Sequence, residues 1–274
     1  MSDFPLPGVG HSVVAIPAPG TGVEHWAGAP SAALDEDGSF LLAYRLRTPE
    51  RAAVIVARSD DGERFETICT LDRSRWDAMS VERPALVRTD RGRWRMYVCP
   101  ASKNSKAWWI ELLEAESPER FADADSTSLI AEDDVAVKDP IVRRRNRGWQ
   151  AWLCCHPLDV PDEEDRMYTA FATSRDGIEW DWRGTMLEPR PGHWDARGAR
   201  LTAVLPDGRA AYDGRATKDE NWFERTGLVE ARDAPVSVAR YLEVLPLPDG
   251  GYRIYYEWPV PGQAHELRTE LIDG

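Results

Sequence analysis

Residues 139–157 read DPIVRRRNRGWQAWLCCHP: a short apolar strand, a turn closing on Gly148, and a second strand rich in Trp, Leu and Cys. A glycine there supplies the positive φ that a tight hairpin needs. The same unit recurs. APSAALDEDG closes on Gly38, RPALVRTDRG on Gly92, ARLTAVLPDG on Gly208 and LEVLPLPDGG on Gly251, each followed by another strand. The five glycines are separated by 54, 56, 60 and 43 residues. That spacing suits one four-stranded propeller blade of ~40–50 residues plus loops. The sequence therefore predicts an all-β chain, a single domain over residues 1–274. It is expected to form a five-bladed β-propeller of four-stranded antiparallel blades around a central funnel.

Later strands repeat as well. Ala57-x-Ser59-x-Asp61-Gly62 followed by Phe65 matches Ala172-x-Ser174-x-Asp176-Gly177 followed by Trp180. Both read as hairpin turns pinned by an aromatic, which is structure rather than chemistry. The last repeat has only three strands. An N-terminal strand around His11 to Pro17 is expected to supply the fourth and close the ring, hiding a sheet edge.

Composition narrows the partners. Lys plus Arg is 34 against 47 Asp plus Glu, a formal charge of −13. Nucleic acid and anionic membrane surfaces are disfavoured by that excess. No window approaches the ~20 apolar residues of a membrane span, and Met1 to Val14 lacks a signal-peptide pattern. Cys69, Cys99, Cys154 and Cys155 lack the spacing of a zinc site and read as reduced, buried residues. A cytoplasmic protein with a small-molecule substrate is the expectation.

The run Val137-Lys138-Asp139-Pro140, with the turn Ala172 to Trp180, resembles the five-bladed propeller glycoside hydrolases. These comprise the arabinanase and β-xylosidase group, the invertase and levansucrase group, and the mannoside phosphorylases. The resemblance implies that carboxylates at the inner-strand starts act as acid and base, and it places Asp139 in the Asp-Pro position. Arg83 occupies that slot in the second repeat, behind Glu82. Ala29 occupies it in the first, where the arabinanase-like pattern has an Asp base.

If five inner strands converge on one axis, residues far apart in sequence meet there. Asp139, Glu82, Asp195 and Glu243 are the catalytic candidates. The substrate-binding candidates are His25 and Trp26 from the first repeat, Arg83 from the second, and Lys138 and His156 from the third. Trp194, Arg197, Arg200 and Asp213 come from the fourth, and Arg240, Tyr241 and Glu257 from the fifth. Arg197 and Arg200 are suited to an oxyanion, and Arg215 replaces an apolar residue. Trp26, Trp108, Trp109, Trp194 and Trp222 are placed to stack on sugar faces or to pack between blades. Lys103, Asn104 and Lys106 read as a solvated loop. Related propellers sometimes carry an axial calcium. The sequence has no oxygen-ligand loop of recognisable spacing, so no metal or cofactor is assigned.

The reading that follows is a carbohydrate-active enzyme, a glycoside hydrolase or phosphorylase acting on a small glycoside. Two alternatives remain open: a propeller repurposed for an anionic metabolite, and a non-catalytic sugar-binding propeller. An Arg-dominated cavity favours the first alternative, and a featureless channel the second.

Overall fold

The computed structural model describes residues 4–105, 107–130, 134–145 and 148–274. Among these the chain is all-β, with short 3₁₀ turns and no α-helix, and no helix is long and apolar enough to cross a membrane. Lys106 lies outside the described residues.

In chain order the strands begin with β1 (Val13–Ile16), β2 (Trp26–Leu34), β3 (Phe40–Arg47), β4 (Ala52–Ser59) and β5 (Glu66–Asp72). Next come β6 (Ala85–Arg88), β7 (Trp94–Val98), β8 (Ile110–Ala115) and β9 (Ser126–Ile130). The third repeat gives β10 (Val135–Arg145), β11 (Gly148–Pro157), β12 (Tyr168–Ser174) and β13 (Asp181–Leu187). After these follow β14 (Gly198–Val204), β15 (Ala210–Arg215), β16 (Arg225–Leu228), β17 (Arg240–Pro246), β18 (Tyr252–Val260) and β19 (Ala264–Ile272).

All five expected hairpins are antiparallel pairs: β2–β3, β6–β7, β10–β11, β14–β15 and β17–β18. Two sheets are four-stranded, β6 to β9 and β10 to β13. The N- and C-terminal repeats join into one eight-stranded assembly, because His265 on β19 pairs with Trp26 on β2. Strand β1 pairs antiparallel with β19, so the N-terminal segment completes the last repeat. The fourth repeat departs from the expected four strands: β14, β15 and β16 stand alone. Only residues 229–239 link β16 to β17, and they include Pro235, which has no amide hydrogen to donate. They form two isolated bridges instead, at Ser237 and Ala231.

The first strands pack side by side in the order β2, β6, β10, β14, β17 and back to β2. The apolar clusters fill the space between neighbouring sheets. Leu41, Val54 and Leu71 meet Leu86, Met96 and Phe121 in one; Tyr97 and Leu112 meet Val142, Trp149 and Ala172 in another. A repeated clamp adds to this packing. Tyr97 on β7 donates to Gly177 O (2.9 Å), and Arg95 donates to Asp176 O. On β18, Tyr255 donates to Gly62 O (3.1 Å) and Arg253 to Asp61 O (3.1 Å). These two Asp-Gly turns are thus each held by an Arg-x-Tyr pair from the neighbouring repeat. Gly177 has φ 77°. A Cβ there would lie 2.7 Å from Arg95 Nη1 and 2.8 Å from Trp149, so glycine is required on both counts.

Candidate functional site

Every inner strand except β6 carries a register shift near its middle: Gly28/Ser31 on β2, Lys138/Ile141 on β10, Leu201/Ala203 on β14 and Arg240/Glu243 on β17. A bulge re-aims a side chain and frees backbone groups from the ladder. At three of the four shifts the extra residue is left-handed: Ala29 (φ 52°), Asp139 (φ 50°) and Tyr241 (φ 53°). The bulges place Asp139 and Tyr241 together at the axis, where the Tyr241 hydroxyl lies 3.3 Å from Asp139 Oδ2.

Arg83 runs across that axis and is 1% exposed. Its Nε donates to Pro30 O (3.0 Å) and its Nη1 to Thr202 O (2.9 Å), carbonyls within two of the bulges. Its Nη2 meets Glu243 at 2.6 Å, and its backbone N–H donates to Asp139 Oδ1 at 3.2 Å. Arg83 and Glu243 therefore form an internal strut. Burial pushes the Glu243 carboxyl up, against the attraction of Arg83.

A cavity of about 900 Å³ opens above this strut. Of the expected residues, Trp26, Glu82, Lys138, His156, Arg200, Arg240 and Tyr241 line it. Lys103 and Asn104, read as a solvated loop, also line it. Asp139, Asp213 and Glu257 lie one layer deeper, each with a fully buried side chain.

The cations face the cavity and these three carboxylates back them. Arg200 reaches Asp139 (3.0 Å), the Tyr241 hydroxyl (2.8 Å) and Asp213 (2.8 Å). Arg240 holds Glu257 (2.6 Å) and Glu224 (2.7 Å), while Arg215 holds Glu224 at 2.5 Å. Arg45 joins Glu82 (2.8 Å) to Glu257 (3.0 Å). The Nε atoms of Arg45, Arg200 and Arg215 are buried without a partner among the described residues. Lys138 sits 3.8 Å from Asp139 and 4.6 Å from the centre of the Trp108 ring.

This network fixes the charges. Burial alone would raise the Glu82 carboxyl, but Lys138 and Arg45 outweigh it and hold it below the usual range. Asp139 is lowered in the same way by Lys138 and Arg200. Burial pushes Tyr241 up to about 12, so its phenol stays protonated at neutral pH. Burial, aided by Lys138, lowers His156 well below its ordinary value. Its Nδ1 lies 2.8 Å from Glu164 O, so Nδ1 carries the proton and Nε2 the lone pair.

Other expected members lie elsewhere. The His25 ring packs over Gly20, outside the cavity lining. Asp195 is held by Arg190, Arg232 and the Tyr212 hydroxyl, and Trp194 stacks on Tyr212 at 5.3 Å over Gly214 and Gly227. These two lock the 188–197 loop onto the fourth sheet, and no distance or contact brings them to the floor. Arg197 forks onto Asp165 with two bonds of 2.8 Å beside a separate cavity of about 350 Å³. A loop rich in Trp, Asp and Arg reads alike in sequence whether it enters a funnel or seals a sheet.

Arg45, Glu224 and His265 belong to the network but were not among the expected residues. Arg45 faces Gly28 across the ladder, as Asp213 faces Arg200 and Glu257 faces Arg240. That shared register is the signal that could have revealed it. Glu224 follows a loop and has no such signal. Gly28 has a purpose here too: a Cβ would lie 1.9 Å from Glu257 Oε2, so Glu257 fills the space beside the vacant first-repeat slot at Ala29. Glu82, Asp139, Asp213, Glu224 and Glu257 are each engaged by a guanidinium, a donor set unsuited to calcium. Among the described residues no group of three or more His, Cys, Asp or Glu is arranged to hold a metal.

The fold is that of the propeller glycoside hydrolases and phosphorylases. The chain is similar to the α-L-arabinofuranosidase from Lactobacillus brevis (TM-score 0.67, 14% identity, 89% of this chain and 90% of that one). It is also similar to the β-1,2-mannobiose phosphorylase from Listeria innocua (0.58, 12%, 98% and 93%). A third similar structure is the sucrose-6-phosphate hydrolase from Lactobacillus gasseri (0.64, 10%, 97% and 61%). No family model and no curated protein matches the sequence.

Proposed function

We propose that the chain is a carbohydrate-active enzyme, a single-domain five-bladed propeller that cleaves or transfers the glycosyl unit of a small glycoside in its axial cavity. The ring order of β2, β6, β10, β14 and β17 supports the blade count. The four free, buried cysteines support a cytoplasmic location. One observation carries the chemistry: an ionised carboxylate and a protonated phenol face the same cavity. Glu82 is the base, oriented by Ser80 (2.8 Å) and Arg45. Tyr241 is the acid, bonded to Asp139 and surrounded by Arg200, Arg45 and Arg240 at 3.8, 5.3 and 5.4 Å from its ring centre.

As the glycosidic C–O bond breaks, the leaving oxygen takes the Tyr241 proton. The attacking water or acceptor oxygen bonds to the anomeric carbon and gives its proton to Glu82. The three guanidiniums stabilise the phenolate until solvent reprotonates it. Trp222 on the cavity wall, 38% exposed, offers a ring face to a sugar, while Trp26 and Trp108 back the arginines and Lys138.

A panel of nitrophenyl and alkyl glycosides, with and without phosphate, tests this. Glu82→Gln should lower kcat/KM by about 10²–10⁴-fold on every active substrate. Tyr241→Phe should spare nitrophenyl substrates, whose leaving group needs no proton, and impair alkyl ones. Equal activity of folded Glu82→Gln and wild type removes the carboxylate from the chemistry.

A further inference from the structure

We infer that the sugar taken by this cavity carries its own oxyanion, a phosphate or carboxylate, seated on Arg45, Lys138, Arg200, Arg215 and Arg240. The inference rests on the carbohydrate reading above and narrows its substrate class. The protein carries a formal charge of −13, yet the lining of the 900 Å³ cavity includes these five cations. Asp139, Asp213 and Glu257 neutralise the network from beneath, with side chains wholly withdrawn from solvent. Five carboxylates, Glu82, Asp162, Glu164, Asp165 and Glu224, also line the cavity, against eight Lys and Arg side chains, and that balance favours negative charge inside it.

A second observation is independent of that balance. The Nε–H groups of Arg45, Arg200 and Arg215 are buried and lack a partner among the described residues, although the arginines themselves are 1–2% exposed. Buried donors of a charged group without acceptors are costly, and an oxyanion among the three arginines offers acceptors. Lys138 lines the cavity with its ammonium 3.8 Å from Asp139 and 4.6 Å from the centre of the Trp108 ring, without a hydrogen-bonded carboxylate among the described residues. The five cations come from four of the five repeats, so they form a floor rather than one corner. Above the floor lies the exposed ring of Trp222, backed by buried Trp26 at 5.4 Å. A charged floor beside an exposed indole suits one molecule with an anionic end and a sugar ring.

Titration calorimetry tests this on the intact protein with glucose, mannose and galactose, their 6-phosphates, their uronates, and inorganic phosphate. Lys138→Met is the informative variant, because Asp139 keeps its Arg200 partner and no hydrogen bond is lost. At least one anionic sugar is expected to bind about tenfold or more tightly than its neutral parent. That affinity should fall about tenfold in Lys138→Met, a loss of the size of one charge-assisted contact. It should also fall as salt rises, while neutral-sugar binding stays unchanged.

Neutral sugars binding as tightly as anionic ones, with no effect of Lys138→Met, overturns the oxyanion seat and leaves the carbohydrate reading standing. Inorganic phosphate binding as tightly as every sugar phosphate overturns both, since the sugar then contributes nothing. Silence of every anionic sugar also overturns the inference.

Discussion

The clamp between Tyr97 and the turn at Gly177 recurs between Tyr255 and the turn at Gly62. At the axis, by contrast, only the pairing of an inner-strand Arg with a facing carboxylate, Arg200 with Asp213 and Arg240 with Glu257, recurs among the contacts described above. Both regions are built on arginine. At the clamps, Arg95 and Arg253 donate to backbone carbonyls of an Asp-Gly turn. The turn's own Asp accepts backbone amides, as Asp61 does from Glu63 (2.8 Å) and Arg64 (2.9 Å). Apart from the Arg253 Nε, these groups find their partners within the clamp, so the unit can be repeated. At the axis, each sheet contributes different groups: Arg45 from the first, Glu82 from the second, Lys138 and Asp139 from the third. Repetition marks what holds the sheets together, and its loss marks where chemistry has been adapted.

Breaking the axial strut should have the largest effect on stability. Arg83→Met leaves Glu243 without its cation and the carbonyls of Pro30 and Thr202 without a donor. A loss of about 3–5 kcal/mol is expected in urea denaturation. A loss below about 1 kcal/mol would reduce the strut to a passenger.

The next effect separates the two regions by pH. His156 and His265 are buried near the axis; burial lowers His265 from 6.5 to about 4 and His156 well below its ordinary value. The unfolded chain takes up these protons near pH 6.5, while the folded chain resists. Their contribution is therefore complete above that pH and is lost as pH falls, for His265 between about 6.5 and 4. His265→Gln should flatten the acid slope of stability in this window, by up to about 3 kcal/mol. An unchanged slope would show that His265 titrates normally.

The smallest effect belongs to the clamps. Tyr97→Phe and Tyr255→Phe should each cost about 1 kcal/mol and leave any activity unchanged. Additive losses in the double variant would show that the clamps act independently. A change in kcat/KM from either would end the distinction between scaffold and site.

Much of the fold was legible because it repeats. Turn glycines with positive φ, apolar strands and Ser-x-Asp-Gly corners are local requirements, and each hairpin had to satisfy them by itself. The shortfall at β14 to β16 was not legible. Residues 229–239 pair only as isolated bridges at Ala231 and Ser237, an outcome set by their contacts with β16 rather than by a local pattern. The candidate site was legible only in part. Lys138, Arg200, Arg240 and Tyr241 stood out as polar residues at inner-strand starts. Asp195 and Trp194 stood out equally but serve the fourth sheet, and Arg45 was hidden in the apolar run FLLAYRLR.

The sequence by itself determined the strands, their pairing into five hairpins and the shared corner motifs, because backbone hydrogen bonding and side-chain alternation act over a few residues. Only the tertiary structure decided which charges meet. Arg83 bonds to residues 53, 119 and 160 positions away, and Arg200 reaches Asp139 across 61. Those partners are set by how the sheets pack around the axis and by bulges that turn Asp139 and Tyr241 inward. A charge in a strand states its sign; its neighbours, and hence its protonation and use, come from the packing of sheets distant in sequence.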